Sequence, residues 1–345
     1  MAISVNMAQA KDAIIRCIKA SLVPFLQGSP ACGKSALFHQ IAEEFNLKLI
    51  DLRLSQCDPT DLLGMPSIDR EAGRAGYLPM NTFPLEGDAI PEGYNGWLLF
   101  LDEFNHADRS VQKAGYKVVL DRMVGNKNIH KNCAIVAAGN LDTDNAMVEE
   151  MSTALQSRLV HLELAIDNDQ WIDWATANGI DHRITAYIKY KPGNLYRFNP
   201  DHDVKTYASP RTWEFLSRLI KNEEQLTRDL IPLMAGTVSE GVAREFFGFS
   251  QIYKQLITVP QIVADPQGTM VPTAPDVLYA LTGTIAHNAN LNNVAKLVEY
   301  VQRIPVEFQV TCLREIVRRK KDLLASPAIQ GWVARNATEL FADGP

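Results

Sequence analysis

The sequence predicts an α/β domain followed by a helical second part, and three observations carry this. Through about residue 165, short apolar runs alternate with stretches of helical periodicity, the signature of a mainly parallel sheet with helices on both faces. Two of the runs, 97–101 and 133–138, are unbroken, as in strands buried on both sides. After residue 166 the strand signals fade and one helical pattern follows another.

Taken in order, Ala10, Ile14, Cys17 and Ile18 sit at helical spacing within residues 7–20. Residues 22–26 read as a brief strand, 28–35 as a turn, 36–45 as a helix and 48–54 as a second strand. The stretch 56–96, rich in Gly, Pro and Asp, reads as a long irregular insert. The strand at 97–101 is followed by a helix over 108–123, a polar hairpin tip at 126–131, the strand at 133–138 and a helix over 146–157. In residues 159–164, Val160, Leu162 and Leu164 alternate with His161 and Glu163, a half-buried strand. Helical patterns then cover 168–178, 181–190, 210–221, 223–235 and 238–256. A proline-rich break at 258–275 separates them from helices near 276–290, 291–303, 306–324 and 327–341.

The chain has 345 residues, a length that suits about two domains. With 46% hydrophobic and 21% charged residues it has globular usage, which excludes wholesale disorder. A net charge of −6 does not suit a general nucleic-acid coat protein. Five scattered cysteines without a CxxC pair read as reduced thiols in a cytoplasmic compartment. No secretory signal is evident at the start, and no apolar run approaches the ~20 residues that span a bilayer, so no membrane insertion is expected.

Gly28-Ser29-Pro30-Ala31-Cys32-Gly33-Lys34-Ser35 is a full G-x-x-x-x-G-K-S match between a strand and a helix. The glycines let the backbone turn tightly, so that successive N–H groups and the helix N-terminus face an anion. Lys34 then reaches the β- and γ-phosphates of a nucleotide such as ATP, and the Ser35 hydroxyl binds Mg²⁺. The strand at 97–101 ends in Asp102-Glu103. There Asp102 suits the magnesium shell and Glu103 suits polarising a water for attack on the γ-phosphate. An acidic helix N-cap fits the same pair. Asn140, ending the run 135–140, suits contact with the γ-phosphate or the attacking water, and a Gly-Asn turn fits it as well.

The order of these motifs resembles the AAA+ ATPases, and more narrowly the MoxR-like branch. The resemblance is carried by the phrases at 58–66, 101–107, 138–140 and 209–211, and it covers about residues 1–250. It implies a P-loop NTPase αβα sandwich with a mainly parallel five-stranded sheet over residues 1–165. An all-helical lid over 166–257 and a helical C-terminal extension over 258–345 follow. It implies a homo-oligomeric ring, usually hexameric, with Asn140 as the first sensor, Arg158 as the arginine finger toward the neighbour's ATP, and Arg211 as the second sensor. The fixed charge and donor fork of arginine suit these tasks. It further suggests a protein remodeller or assembly chaperone whose partner is a protein client or a von Willebrand-type A domain protein. A nucleic-acid translocase or helicase and a nucleotide-dependent scaffold with little turnover are the alternatives.

Bland readings accompany several of these residues. Arg158 also suits a helix C-terminus, and Arg211, after Pro210, also suits a solvated first turn. Arg122 and Arg109 are candidates for a subunit boundary. His106 stands where many relatives carry arginine. The 56–96 insert and the 126–131 hairpin match segments that face a pore or partner in the family, where Tyr77, Leu78 and Phe83 suit either client contact or core packing. Cys32 reads as a small tolerated side chain rather than a redox switch, the run 318–321 as a solvated basic face, and Trp171 and Trp174 as packing residues.

Overall fold

The computed structural model describes residues 3–70, 73–141, 144, 151–200 and 205–336. Contacts divide the chain into two compact units. The first spans the described residues up to Asp167 with Asn199 and Pro200, and the second holds Asn168–Phe198 and the described residues from 205 on.

The first unit runs β1 (Ser4–Val5), α1 (Met7–Lys19), β2 (Val23–Gln27), α2 (Lys34–Glu44), β3 (Leu47–Arg53), α3 (Pro59–Leu63), β4 (Met65–Asp69), β5 (Arg74–Leu78), β6 (Gly96–Asp102), α4 (Arg109–Leu120), β7 (Met123–Val124), β8 (Lys127–Asn128), β9 (Cys133–Gly139), α5 (Thr153–Gln156) and β10 (Leu159–Leu164). Its main sheet has the order β1-β10-β2-β9-β6-β3, and every pairing in it is parallel. The five strands read from the sequence are all present, and the two-residue β1 adds a sixth at one edge.

Alternation along the buried strands builds the layers. In β6, Leu99 and Leu101 join Ile135, Ala137 and the α4 residues Val111 and Val118 on one face. Leu98 and Phe100 join Val136, Ala138 and the α1 and α2 residues Ile14 and Phe38 on the other. Because successive strand residues point to opposite faces, an unbroken apolar run is what a doubly covered strand needs. The result is an α/β P-loop sandwich, as the sequence predicts.

Several expectations shift. The 56–96 stretch is not wholly irregular: it holds α3 and the antiparallel hairpin β4–β5. Pro59 opens α3 and the Asp61 carboxylate accepts the Asp58 N–H at 2.8 Å, so a Pro- and Asp-rich string encodes a helix start as well as a loop. Of the three insert residues, Phe83 is buried in the core, whereas Tyr77 and Leu78 are exposed. The hairpin at 126–131 is present as β7–β8. Of the helix expected over 146–157, residues 146–150 lie outside the described residues, and α5 covers Thr153–Gln156.

The second unit holds α6 (Asn168–Ala177), α7 (His182–Tyr190), α8 (Pro210–Ile220), α9 (Ile231–Val238), α10 (Glu240–Gln251), α11 (Val259–Ala264), α12 (Pro275–Asn288), α13 (Val294–Val301), α14 (Val306–Arg319) and α15 (Pro327–Arg335). The helix expected over 223–235 begins only at Ile231, because Pro232 belongs in a first turn and cannot accept a preceding turn. The proline-rich break carries α11, whose Thr258 and Gln261 form a capping box around Pro260. Residues 318–320 do not form a solvated basic face: Arg318 pairs with Asp173, Arg319 with Glu315, and Lys320 donates to the Ala289 carbonyl.

Candidate functional site

Parallel strands place their carboxyl ends along one sheet edge, where ligands of α/β proteins bind. β2, β9 and β6 are consecutive neighbours, so the loop after Gln27, the residue after Gly139 and the end of β6 meet there. This geometry brings together Gly28–Ser35, Asn140 and the Asp102-Glu103 pair, far apart in sequence.

The phosphate loop turns through Ala31 (φ 62°) and Gly33 (φ 103°), both left-handed. Gly33 is the N-cap of α2 and has no side chain to close its first turn, which leaves the opening amides to an anion. Lys34 is only 8% exposed. Its ammonium donates to the Gly28 carbonyl at 2.5 Å, the Ser29 carbonyl at 3.1 Å and Asn140 Oδ1 at 2.9 Å. These are neutral acceptors, weaker partners for an ammonium than phosphate oxygens. The Ser29 hydroxyl donates to Asp144 Oδ1 at 3.2 Å. Pro30 and Cys32 complete the loop. Burial raises the Cys32 thiol pKa against the lowering effect of Lys34, which suits a packing thiol.

The Ser35 hydroxyl donates to Asp102 Oδ2 at 2.9 Å, and Asp102 is 8% exposed. A hydroxyl and a buried carboxylate side by side are hard oxygen donors suited to Mg²⁺, which takes its other ligands from water and phosphate. Glu103 stands in the left-handed region at φ 55°, and its carboxylate accepts from the Ser55 hydroxyl. Ser55 lies just past β3, beside β6 through the Arg53–Asp102 register. No sequence signal marks it.

Asn105 closes the site. Its Nδ2 donates to the Asn140 carbonyl at 2.8 Å and its Oδ1 accepts the Asn140 N–H at 3.1 Å. Asn140 Nδ2 meets His106 Nε2 at 3.3 Å. Burial lowers the His106 pKa, Glu103 opposes this, and Lys34 adds to it. The sequence motif around Glu103 contains both residues, but their roles become visible only when β6 and β9 are neighbours.

The arginines divide. Arg158 precedes β10, whose first residue is in register with Val23 at the start of β2. It therefore sits at the opposite end of the strands from the phosphate loop, about 20 Å away at ~3.3 Å per residue. It is exposed and donates to the Ala154 carbonyl at 2.9 Å. Arg211 belongs to the second unit, exposed in the first turn of α8 after Pro210. Arg122 donates to the Cys133 carbonyl at 2.5 Å and the His130 carbonyl at 3.3 Å, bracing the hairpin.

No protein-family model and no curated protein matches this chain. Among solved structures, NtrX from Brucella abortus is 17% identical, with 74% of this chain and 62% of that chain covered and a TM-score of 0.39. The chain thus spans less than two thirds of that NtrX chain. NtrX in complex with ATP is 12% identical, covering 98% of this chain and 69% of that one at a TM-score of 0.41. A mutant of RuvB from Thermotoga maritima is 16% identical, covering 81% and 83% at a TM-score of 0.42.

Proposed function

We propose that this chain is a Mg-dependent ATPase of the AAA+ type, of the MoxR-like branch, working as a ring-forming protein remodeller or assembly chaperone. The observation that carries the ATPase reading is the convergence of a phosphate loop, Lys34, the Ser35–Asp102 pair and Glu103 at one sheet edge. The loop amides and Lys34 bind the phosphates. Ser35 and Asp102 would hold Mg²⁺, which would supply neutralising positive charge to the phosphates. Glu103 polarises the attacking water once it leaves Ser55, and Asn140 positions that water or the γ-phosphate.

Arg158, at the far end of its own strands, suits action on a neighbour's nucleotide rather than its own. A finger supplied in trans is worth about 10³–10⁵ in rate in other P-loop NTPases. Arg211 acts from a helical lid over residues 166–257, with 258–345 as its extension. The exposed Met65, Ile68, Tyr77 and Leu78 of the β4–β5 hairpin offer an apolar surface to a protein client or a von Willebrand-type A domain partner. The internal pairing of residues 318–320 gives that basic run little to offer a nucleic acid. Among the described residues, no helix is long and apolar enough to cross a membrane.

Steady-state turnover and nucleotide binding test the assignment. Glu103→Gln should retain Mg-ATP and lose at least about 100-fold in turnover, while Lys34→Ala should lose binding. Undiminished turnover in Glu103→Gln would reject the role given to Glu103.

A further inference from the structure

The Asn140 side chain is held by groups whose hydrogen-bonding polarity is fixed. An ammonium only donates, so the atom of Asn140 facing Lys34 must be Oδ1, as the 2.9 Å contact has it. The Nδ2 amino group is then turned to His106, and at 3.3 Å His106 Nε2 must be the acceptor. A neutral ring that accepts at Nε2 carries its hydrogen on Nδ1, and Nδ1 is buried with no hydrogen-bond partner among the described residues. Asn105 clamps the Asn140 main chain on both sides, which leaves the amide free to turn only about its own side-chain bonds.

A triphosphate reverses these polarities. Phosphate oxygens only accept, so an Asn140 that contacts them must present Nδ2, and its Oδ1 turns to His106. Oδ1 cannot face an unprotonated Nε2, because both would be acceptors. We propose that His106 is a positioning residue that sets the polarity of the Asn140 amide, and that binding of a nucleoside triphosphate turns the amide over as His106 Nε2 takes up a proton. Moving the Nδ1 hydrogen to Nε2 would satisfy Oδ1 without uptake, but the negative charge of the polyphosphate, with Asp102 and Glu103 near the ring, favours keeping both hydrogens. The added proton comes from solvent, neutral imidazole becomes imidazolium, and one N–H bond forms. This rests on the ATPase reading above and adds to it a proton linkage located at one ring.

The charged groups facing the ring are Lys34 at the start of α2 and Asp102 and Glu103 at the end of β6. Lys34 disfavours the imidazolium and the two acids favour it. A polyphosphate seated on Lys34 cancels the unfavourable charge and adds a favourable one. ADP, without the γ-phosphate, should do so less.

Calorimetric titration of the full chain with Mg-ATP and Mg-ADP, in buffers of different ionisation heat, counts the protons. Uptake approaching one proton per ATP near neutral pH is expected, with less for ADP. ATP affinity should then tighten as pH falls, by up to about tenfold per pH unit. His106→Gln offers an amide of either polarity but does not titrate, so it should bind ATP without that uptake. Titration of the nucleotide itself is common to both proteins and cancels in the comparison. Equal uptake in the two proteins, or none in the wild type, would overturn the proposal. Imidazole nitrogen shifts of His106 in wild-type protein report the same event without a substitution: Nε2 should be bare in free protein and both nitrogens protonated with a non-hydrolysable Mg-ATP analogue, whereas a protonated Nε2 beside a bare Nδ1 would overturn the proposal. Binding without proton uptake would sink this inference alone, whereas failure to bind Mg-ATP would remove the ATPase reading with it.

Discussion

Both units bury charge, and they do it differently. In the second unit Glu315, 2% exposed, sits between Lys189 and Arg319, with the Arg319 guanidinium at 2.7 Å. Asp181 is closed by Arg183, which makes contacts at 2.6 and 2.9 Å and spends further donors on the Ile220 and Glu223 carbonyls. In the first unit Lys34 rests on two carbonyls and an amide. Opposite charges matched within one unit have their strongest partners already. An ammonium that donates to main-chain carbonyls can exchange them for the oxygens of an anion. Buried charge alone does not mark a site; the kind of partner does.

The sharpest way to break this contrast is to remove one charge from each unit. Glu315→Ala leaves the half-buried Lys189 and Arg319 without their carboxylate, and should cost about 3 kcal/mol in urea unfolding. Lys34→Met removes an ammonium that donates to the Gly28 and Ser29 carbonyls and to Asn140 Oδ1. It should cost less stability than Glu315→Ala while abolishing nucleotide binding. If the two substitutions cost the same, the distinction between a matched and a poised charge fails.

The second unit also carries an acid sensitivity of its own. His182 stacks on His287 with ring centroids 4.6 Å apart. Burial pulls the His182 pKa down to about 4; Asp181 opposes this, while His287, Arg183 and Arg319 reinforce it. A folded pKa below the unfolded value means that the unfolded chain binds more protons between the two. The neutral ring's contribution is therefore complete above about pH 6.5 and is lost as pH falls toward 4, by about 3 kcal/mol in all. Hydrogen exchange of α7 and α12, corrected for intrinsic rates, should show protection falling across that window in wild type and falling less in His182→Gln. A flat profile in wild type would refute it.

The reach of the sequence follows the same contrast. Gly28–Ser35 and the Asp102-Glu103 strand end were legible because their chemistry is local: a loop cradles phosphate with its own amides, and a strand end presents its own acids. The buried strands were legible because double burial demands unbroken apolar runs. What pairs across the fold was not. Ser55 reaches Glu103 through the β3–β6 register, and Asn105 and His106 reach Asn140 because β6 lies beside β9. Residues 318–320 looked solvated because their acids, Asp173 and Glu315, are one remote and one a helical turn away. The helix starts at Pro59 and Pro260 were obscured because proline both ends and opens helices, and only the cap partner decides which.

The smallest expected effect tests how tightly the polar edge is assembled. Gly139 has an ordinary backbone conformation, so its lack of a side chain is needed for space rather than for φ. A Cβ there would fall 2.1 Å from Asn105 Oδ1 and 2.8 Å from the Phe25 ring. Phe25 is fully buried and cannot yield, so in Gly139→Ala the Asn105 amide must withdraw. Both of its bonds to the Asn140 main chain then go. Overpacking of this kind costs about 1–3 kcal/mol. Lys34 keeps its bonds to the Gly28 and Ser29 carbonyls, so nucleotide affinity should fall less than turnover, which drops as Asn140 loses its fixed position. Loss of affinity in step with turnover would mean that the Asn105–Asn140 clamp shapes the phosphate cradle itself.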